Sequence, residues 1–455
     1  MNATEITVLD PRDGTTVGTL RCAGADEVGA AVASARAAAH GWAGTSPEDR
    51  GRALRAAADA LAGHARELAE LNTRETGKLP QEALGGVEAG VGTLHQYAEL
   101  GPVHRGLSLR GSALATDYTM AEPRGVVAAL TPWNDPVAVA AGLLGAALVT
   151  GNTVVHKPSE RCPHTGARLG EILAAALPES VLVTVTGGPE TGRLLTGQAG
   201  IDVLAHVGST ATGTAIAEAA LATGAHVIRE NGGNDPLVID DDVDPDWAAE
   251  QAAIGAFTNA GQICTSVERI YVHRGIAEPF LASLGAEARK RNTDGNLAPL
   301  VDSRMRDAVH AQVHAALDDG ATALAGGELP DGAGSFYPAT VLRDCTDQMT
   351  VMREETFGPV APVRVVDSFE EGLRLAARDR YGLAATVLTG RITHAQQAIA
   401  GLPVGTLKVN NVFGGAPGGA AQPRRDSGAG FGYGPELLDE MTQVKVVHVE
   451  MPPAR

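Results

Sequence analysis

From residue 126 onward, short runs rich in Val, Leu and Ile alternate with stretches of helical periodicity, and this alternation constrains the chain most strongly. Residues 126–130, 153–156, 181–186 and 203–207 read as strands, with helical patterns such as 168–176 and 214–222 between them. Strands separated by helices pair in parallel, because a crossover helix must return the chain to the same end of the sheet. A second series follows, with candidate strands at 237–239, 269–272, 362–366, 385–389 and 406–409. The expectation is a doubly wound α/β architecture whose ligands gather beyond the C-terminal ends of the strands. Residues 444–449 form a last candidate strand after a Gly-rich stretch at 414–434. A strand that follows the last domain needs an edge to pair with, and a partner subunit is a natural candidate.

Upstream of residue 126 the pattern is helical. Ser46-Pro47-Glu48-Asp49 combines a cap, a proline suited to the first turn and acidic residues near the positive helix end. Leu54, Ala57, Ala58, Leu61, Ala65 and Leu68 then recur at helical spacing. Asp26 opens an Ala-rich helix ending near His40-Gly41.

At 455 residues, the chain can bury two or three cores. It carries 36 basic and 54 acidic residues, for a net charge of −18. That balance argues against nonspecific nucleic-acid binding and against an anionic membrane surface, both of which need clustered cations. The longest charge-free stretch, 136–156, is broken at Thr150-Gly151-Asn152 and reads as a buried helix followed by a buried strand, not a membrane span. The N-terminus lacks the basic and apolar regions of a secretory leader, and a cytoplasmic protein is expected. Cys22, Cys162, Cys264 and Cys345 show no C-x-x-C spacing, and the first, second and fourth read as buried thiols in a reducing compartment.

Several patterns are set aside. There is no phosphate loop of the G-x-x-x-x-G-K-[ST] type, no H-E-x-x-H and no G-x-S-x-G. Asp240, Asp242 and Asp244 imitate the start of a calcium loop, but Pro245 and Gln251 occupy the positions that need Gly and Glu, so a solvated acidic loop and no metal is expected. Residues 187–192, Gly-Gly-Pro-Glu-Thr-Gly, follow a strand and open a helix, which suits phosphate and plain turn chemistry equally.

Three segments carry the chemistry. Asn259-Ala260-Gly261-Gln262-Ile263-Cys264 puts a thiol between an apolar helical stretch and a β-rich run. Arg229-Glu230-Asn231-Gly232-Gly233 puts a carboxylate before a Gly-Gly turn. Leu130-Thr131-Pro132-Trp133-Asn134 lies at the end of a candidate strand. His156-Lys157-Pro158-Ser159-Glu160, Val207-Gly208-Ser209-Thr210 and Glu354-Glu355-Thr356-Phe357-Gly358-Pro359 complete the set. In this order the six segments resemble the NAD(P)-dependent aldehyde dehydrogenase superfamily over essentially the whole chain.

The resemblance implies a Rossmann-type cofactor domain (1–105 and 124–229), an α/β catalytic domain (230–426) and a small oligomerisation element (106–123 and 427–455). It implies oxidation of an aldehyde through a thioester on Cys264, with Glu230 as general base and the Asn134 side chain and the Cys264 backbone N–H as oxyanion donors. Lys157 and Glu160 would hold the adenosine ribose, Gly208 and Ser209 the pyrophosphate, and Glu355 the nicotinamide ribose. Thr131, Trp133 and Phe357 would complete the cofactor site. NAD is the expected cofactor and NADP the alternative, since Glu160 suits ribose hydroxyls and repels a 2′-phosphate. A homodimer or homotetramer is implied. The alternatives are a dehydrogenase that passes its thioester to coenzyme A, weighed against by Glu230, and a non-catalytic relative.

Two residues depart from the family pattern. Asp135 follows the oxyanion Asn where an aromatic is usual, and Asn231 follows the base where Leu is usual. As a pocket residue, Asp135 either pairs with a nearby Lys or Arg, or attracts a cationic aldehyde.

Overall fold

The computed structural model describes residues 5–415 and 422–452. Part of the Gly-rich stretch, residues 416–421, therefore lies outside the described residues.

Two mixed α/β sheets carry the fold. The first has six strands, in the spatial order Gly428–Ala429, His226–Glu230, Val203–Val207, Val126–Thr131, Thr153–Pro158 and Leu182–Thr184. All pair in parallel except Gly428–Ala429, which runs antiparallel to His226–Glu230. Its strands are apolar on both faces because helices cover both. Val127, Ala129, Val203 and Ala205 face one core with the helices Pro47–Gly63 and Pro136–Val149. Val126, Ala128, Leu130 and Leu204 face another with Ala25–Ala43 and Thr210–Thr223.

The second sheet has seven strands, in the order Thr322–Ala325, Thr340–Arg343, Val360–Val366, Val267–His273, Asp235–Ile239, Ala384–Leu388 and Thr406–Val409. Only Thr322–Ala325 is antiparallel to its neighbour. Thr442–Glu450 pairs with Ala115–Pro123 over nine residue pairs, and Ser108–Leu109 completes that three-stranded sheet. Thr442–Glu450 is its free edge, with Val444, Val446 and Val449 exposed.

The expected central strands are present, and so is the cap on Pro47–Gly63, where Ser46 accepts from the Asp49 N–H at 3.1 Å. The charge-free stretch is a helix, Pro136–Val149, and a strand, Thr153–Pro158, both buried. Among the described residues no helix is long and apolar enough to cross a membrane. His226–Glu230 is a strand that the hydropathy pattern does not announce, since polar His226, Arg229 and Glu230 outnumber its two apolar residues.

Two expectations need correction. Of the acidic residues near 240, Asp242 and Asp244 are exposed as expected, but Asp240 is 1% exposed and is held by Thr389, Arg391 and His394. Among the described residues no group of acids, His and Cys could hold a metal. All four cysteines are free, but Cys22 is only half-buried, because it follows the exposed hairpin strand Thr16–Arg21 and does not join a core.

Candidate active site

The loop that carries the thiol begins where the helix Pro245–Phe257 ends. Asn259 (φ 50°), Ala260 (φ 53°) and Gly261 (φ 73°) are all left-handed. Such a conformation costs about 1–2 kcal/mol per non-Gly residue, so the surroundings must impose it. They do so through hydrogen bonds. Gln262 donates to the carbonyls of Asn259 at 3.0 Å and Pro299 at 3.3 Å, and accepts from the Val301 N–H at 2.9 Å. Gly261 admits no side chain, since a Cβ there would lie 2.1 Å from the Gly358 carbonyl oxygen. This tight loop sets Cys264 just ahead of the strand Val267–His273.

Glu230 ends the strand His226–Glu230 in the other sheet, yet the Sγ of Cys264 lies 3.7 Å from its Oε1. The two sheets meet here, and both side chains are half-buried on the floor of the junction. The turn after Glu230 is fixed from three sides. Asn231 donates from its backbone to Ser427 O and from its side chain to Asp426 O, both at 2.8 Å. Ser427 Oγ donates to the Gly232 carbonyl at 2.9 Å. The glycines themselves answer to close neighbours: a Cβ on Gly232 would lie 2.1 Å from Glu355 Oε2, and one on Gly233 would lie 2.8 Å from the Cys264 carbonyl oxygen. The unusual Asn231 is thus a clamp for the base, although its Oδ1 stays buried without a partner.

Asn134 is tied to the thiol loop by its carbonyl, which accepts from Asn259 Nδ2 at 3.4 Å and from Lys78 Nζ at 3.2 Å. The same Lys78 Nζ stands 3.2 Å from Asp135 Oδ1. Asp135 is therefore at ion-pair distance from Lys78, the pairing that one of the two alternatives left open by the sequence requires.

The electrostatics follow from enclosure among acids. Burial pushes the Cys264 thiol well above its ordinary value, and the carboxylates of Glu230, Asp235 and Glu355 add to this. Burial also raises Glu230, partly offset by its contact with the thiol. Glu355, half-buried and accepting the Gly233 N–H at 3.0 Å, is pushed up by loss of solvent to about 7. A thiol with a base of raised pKa at 3.7 Å can pass its proton across that contact.

The other candidate residues cluster at the C-terminal ends of the first sheet. Lys157 is 6% exposed, with its Nζ 2.9 Å from Pro158 O and 3.8 Å from Glu160 Oε2. Ser209 caps the helix Thr210–Thr223, accepting from the Thr212 N–H at 3.3 Å. The Gly208 N–H is engaged by the Glu230 carbonyl at 3.0 Å, so a phosphate at this turn would meet the N–H groups that follow it. Trp133 and Phe357 meet edge to face, with ring centroids 5.6 Å apart. Thr131 ends its strand with its hydroxyl bonded to His156 Nε2 at 2.9 Å, on the opposite face from Lys157.

Residues that motif reasoning left without a role also build the site. Glu268 accepts the N–H groups of Thr356 and Phe357, both at 3.0 Å, and so holds the segment bearing Glu355. The available signal was a Glu-Arg pair inside a β-rich run, since charges in a buried strand require partners. Gly432 lies against the base: a Cβ there would stand 2.3 Å from Glu230 Oε2.

The model of the aldehyde dehydrogenase family matches residues 1–447. Among solved structures, a betaine aldehyde dehydrogenase from Staphylococcus aureus in complex with NAD+ superposes with a TM-score of 0.96 at 28% identity, over 99% of this chain and 93% of that one. An NAD-dependent aldehyde dehydrogenase from Sinorhizobium meliloti gives a TM-score of 0.95 at 33% identity, over 99% and 92%. A 3,6-anhydro-L-galactose dehydrogenase in complex with NAP gives 0.94 at 31%, over 98% and 96%. A thiol and a carboxylate facing each other between two doubly wound sheets, together with these matches across the chain, show that the protein belongs to the aldehyde dehydrogenase family.

Proposed function

We propose that this protein oxidises an aldehyde to the carboxylic acid with NAD, through a thioester on Cys264. The observation that carries the reading is the 3.7 Å contact between the Cys264 sulfur and the Glu230 carboxylate. Glu230 takes the thiol proton, and the sulfur bonds to the aldehyde carbon while the carbonyl electron pair moves onto oxygen. The Asn134 amide and the Cys264 N–H are assigned as donors to that oxyanion; loss of such a donor typically costs about 10²–10³ in rate. Bound NAD would supply the hydride acceptor at this stage, and loss of hydride from the adduct on Cys264 would leave the acyl group as a thioester. After returning its proton to solvent, Glu230 takes one from water. The hydroxide adds to the acyl carbon, the C–S bond breaks, and the acid leaves.

The residues present fit the dinucleotide. Lys157 is a buried cation with a single close hydrogen-bond partner, which leaves N–H donors for ribose hydroxyls. Glu160 beside it accepts from a 2′-hydroxyl and repels a 2′-phosphate, which favours NAD over NADP. Gly208 and Ser209 at the helix start suit the diphosphate, and Glu355 suits the second ribose. Trp133 and Phe357 wall the nicotinamide side.

Glu230 supports hydrolysis over transfer to coenzyme A. The exposed edge of Thr442–Glu450, with Val444, Val446 and Val449, supports pairing with a second copy in a dimer or tetramer. Four free thiols suit the reducing cytoplasm.

The test is product analysis on a panel of aldehydes, with and without coenzyme A. A free acid in both cases is expected, and Cys264→Ala is expected to abolish turnover while NAD still binds. An acyl-coenzyme A product, or substantial turnover by Cys264→Ala, overturns the reading.

A further inference from the structure

His206 is buried, at 6% exposure, and neither ring nitrogen makes a well-formed hydrogen bond in the protein, the Ser209 backbone being its one near partner. Leaving a buried polar atom unmatched typically costs about 1–3 kcal/mol, so an imidazole with two unmatched nitrogens calls for an explanation. Its position supplies one. In the first sheet Leu130 pairs with Lys157 on one side and with His206 on the other. Residues in register point to the same face, so Lys157, Leu130 and His206 form a row at the C-terminal ends of three parallel strands. Lys157 and His206 are two strands apart, roughly 10 Å.

The row lies under helix beginnings. Gly192, in the helix Pro189–Thr196, approaches both Lys157 and Leu130: a Cβ there would lie 3.8 Å from the lysine stem and 3.9 Å from Leu130 Cδ2. At the other end the His206 ring packs on Gly208, where a Cβ would lie 2.8 Å from the ring Cε1 and 3.0 Å from Nε2. His206 thus sits beneath the turn that opens the helix Thr210–Thr223.

We propose that His206 is a dinucleotide-binding residue that donates a ring N–H to the diphosphate of the bound cofactor. This rests on the reading that the first sheet holds NAD, and it adds a ligand that the family motifs in this chain do not mark. Burial holds the imidazole far below its ordinary value, at about 4, so at neutral pH one nitrogen donates and the other accepts. The donor serves a phosphate oxygen.

The test measures binding to the full chain without turnover. ADP-ribose and adenosine are titrated calorimetrically into the wild type, His206→Phe and His206→Gln, with the unfolding midpoint of the free protein as a fold control. His206→Phe should weaken ADP-ribose binding about tenfold or more, as expected for loss of a hydrogen bond to a charged group. His206→Gln, which keeps an N–H donor, should stay within about threefold of the wild type, and adenosine binding should not change. Unchanged ADP-ribose affinity in His206→Phe overturns the proposal, since the nitrogens are then met by internal water. An equal loss for adenosine also overturns it, because the contact is then not to the diphosphate. Should His206→Phe fail to fold, the ring nitrogens of wild-type His206 can be followed by nitrogen NMR, assigned with His206→Gln. A shift on adding ADP-ribose supports the contact, and no shift overturns it. If ADP-ribose binds none of the folded proteins, the NAD reading itself fails.

Discussion

Glu230→Gln separates the two half-reactions, because the structure gives the carboxylate two duties at one place. Its Oε1 lies 3.7 Å from the sulfur, close enough to take the thiol proton, while burial keeps it a stronger base than an ordinary glutamate. The glutamine fits the same space and keeps the contact, but it cannot accept a proton. It also removes a negative charge that, after burial, is the largest cause holding the Cys264 thiol up, so part of the lost help in forming the thiolate is returned. Acylation therefore survives, and deacylation loses its general base, which is typically worth about 10²–10⁴ in rate, or about 3–5 kcal/mol. In a rapid-mixing experiment on NADH absorbance, one equivalent per active site should appear and the steady state should then fall by that factor. Gly432→Ala serves as the steric counterpart. Its Cβ would stand 2.3 Å from Glu230 Oε2 and push the carboxylate off its position with no change of charge, so a weaker burst-and-stall pattern is expected. A Glu230→Gln enzyme with a fast steady state and no burst would refute the assignment of Glu230 to deacylation.

Two further outcomes follow from charges near the thiol. Lys78→Met releases Asp135 from its 3.2 Å ion pair and removes one of the two donors on the Asn134 carbonyl. The specificity constant for a cationic aminoaldehyde should rise relative to that for an apolar aldehyde of equal length, while kcat falls about tenfold for both, less than the roughly 10²–10³ lost when an oxyanion donor is removed outright; an unchanged ratio would show that Asp135 does not act on substrate charge. For Glu355, whose pKa burial raises from 4.5 to about 7, the native state holds a proton that the unfolded chain releases between those values. Its contribution to stability is thus present at low pH and lost as pH rises through about 7. Denaturant unfolding of Glu355→Gln should show a flatter pH dependence across that window than the wild type, and identical curves would place the titration elsewhere.

The order of residues along the chain dictates the frame. The alternation of buried strands and amphipathic helices dictates parallel sheets, since apolar runs such as Val126–Thr131 and Val203–Val207 are stable only when covered on both faces. The thiol, the carboxylate and the asparagine were legible as segments because each lies at a turn where chain direction and glycine content stand out. Contacts between distant segments were not legible, because burial and pairing are set by tertiary packing and local pattern carries no record of them. His226–Glu230 is a strand because neighbouring strands and residues 428–429 give its backbone partners, which its mixed polarity could not announce. Asp240 is buried because Arg391 and His394 reach it from more than a hundred residues away. Asp135 is neutralised by Lys78, Glu268 holds the Glu355 segment, and Gly432 leaves the space that Glu230 occupies. The sequence named the reacting groups, and the meeting of the two sheets decided their distances and protonation, because a charge leaving water takes its pKa from whatever folds around it.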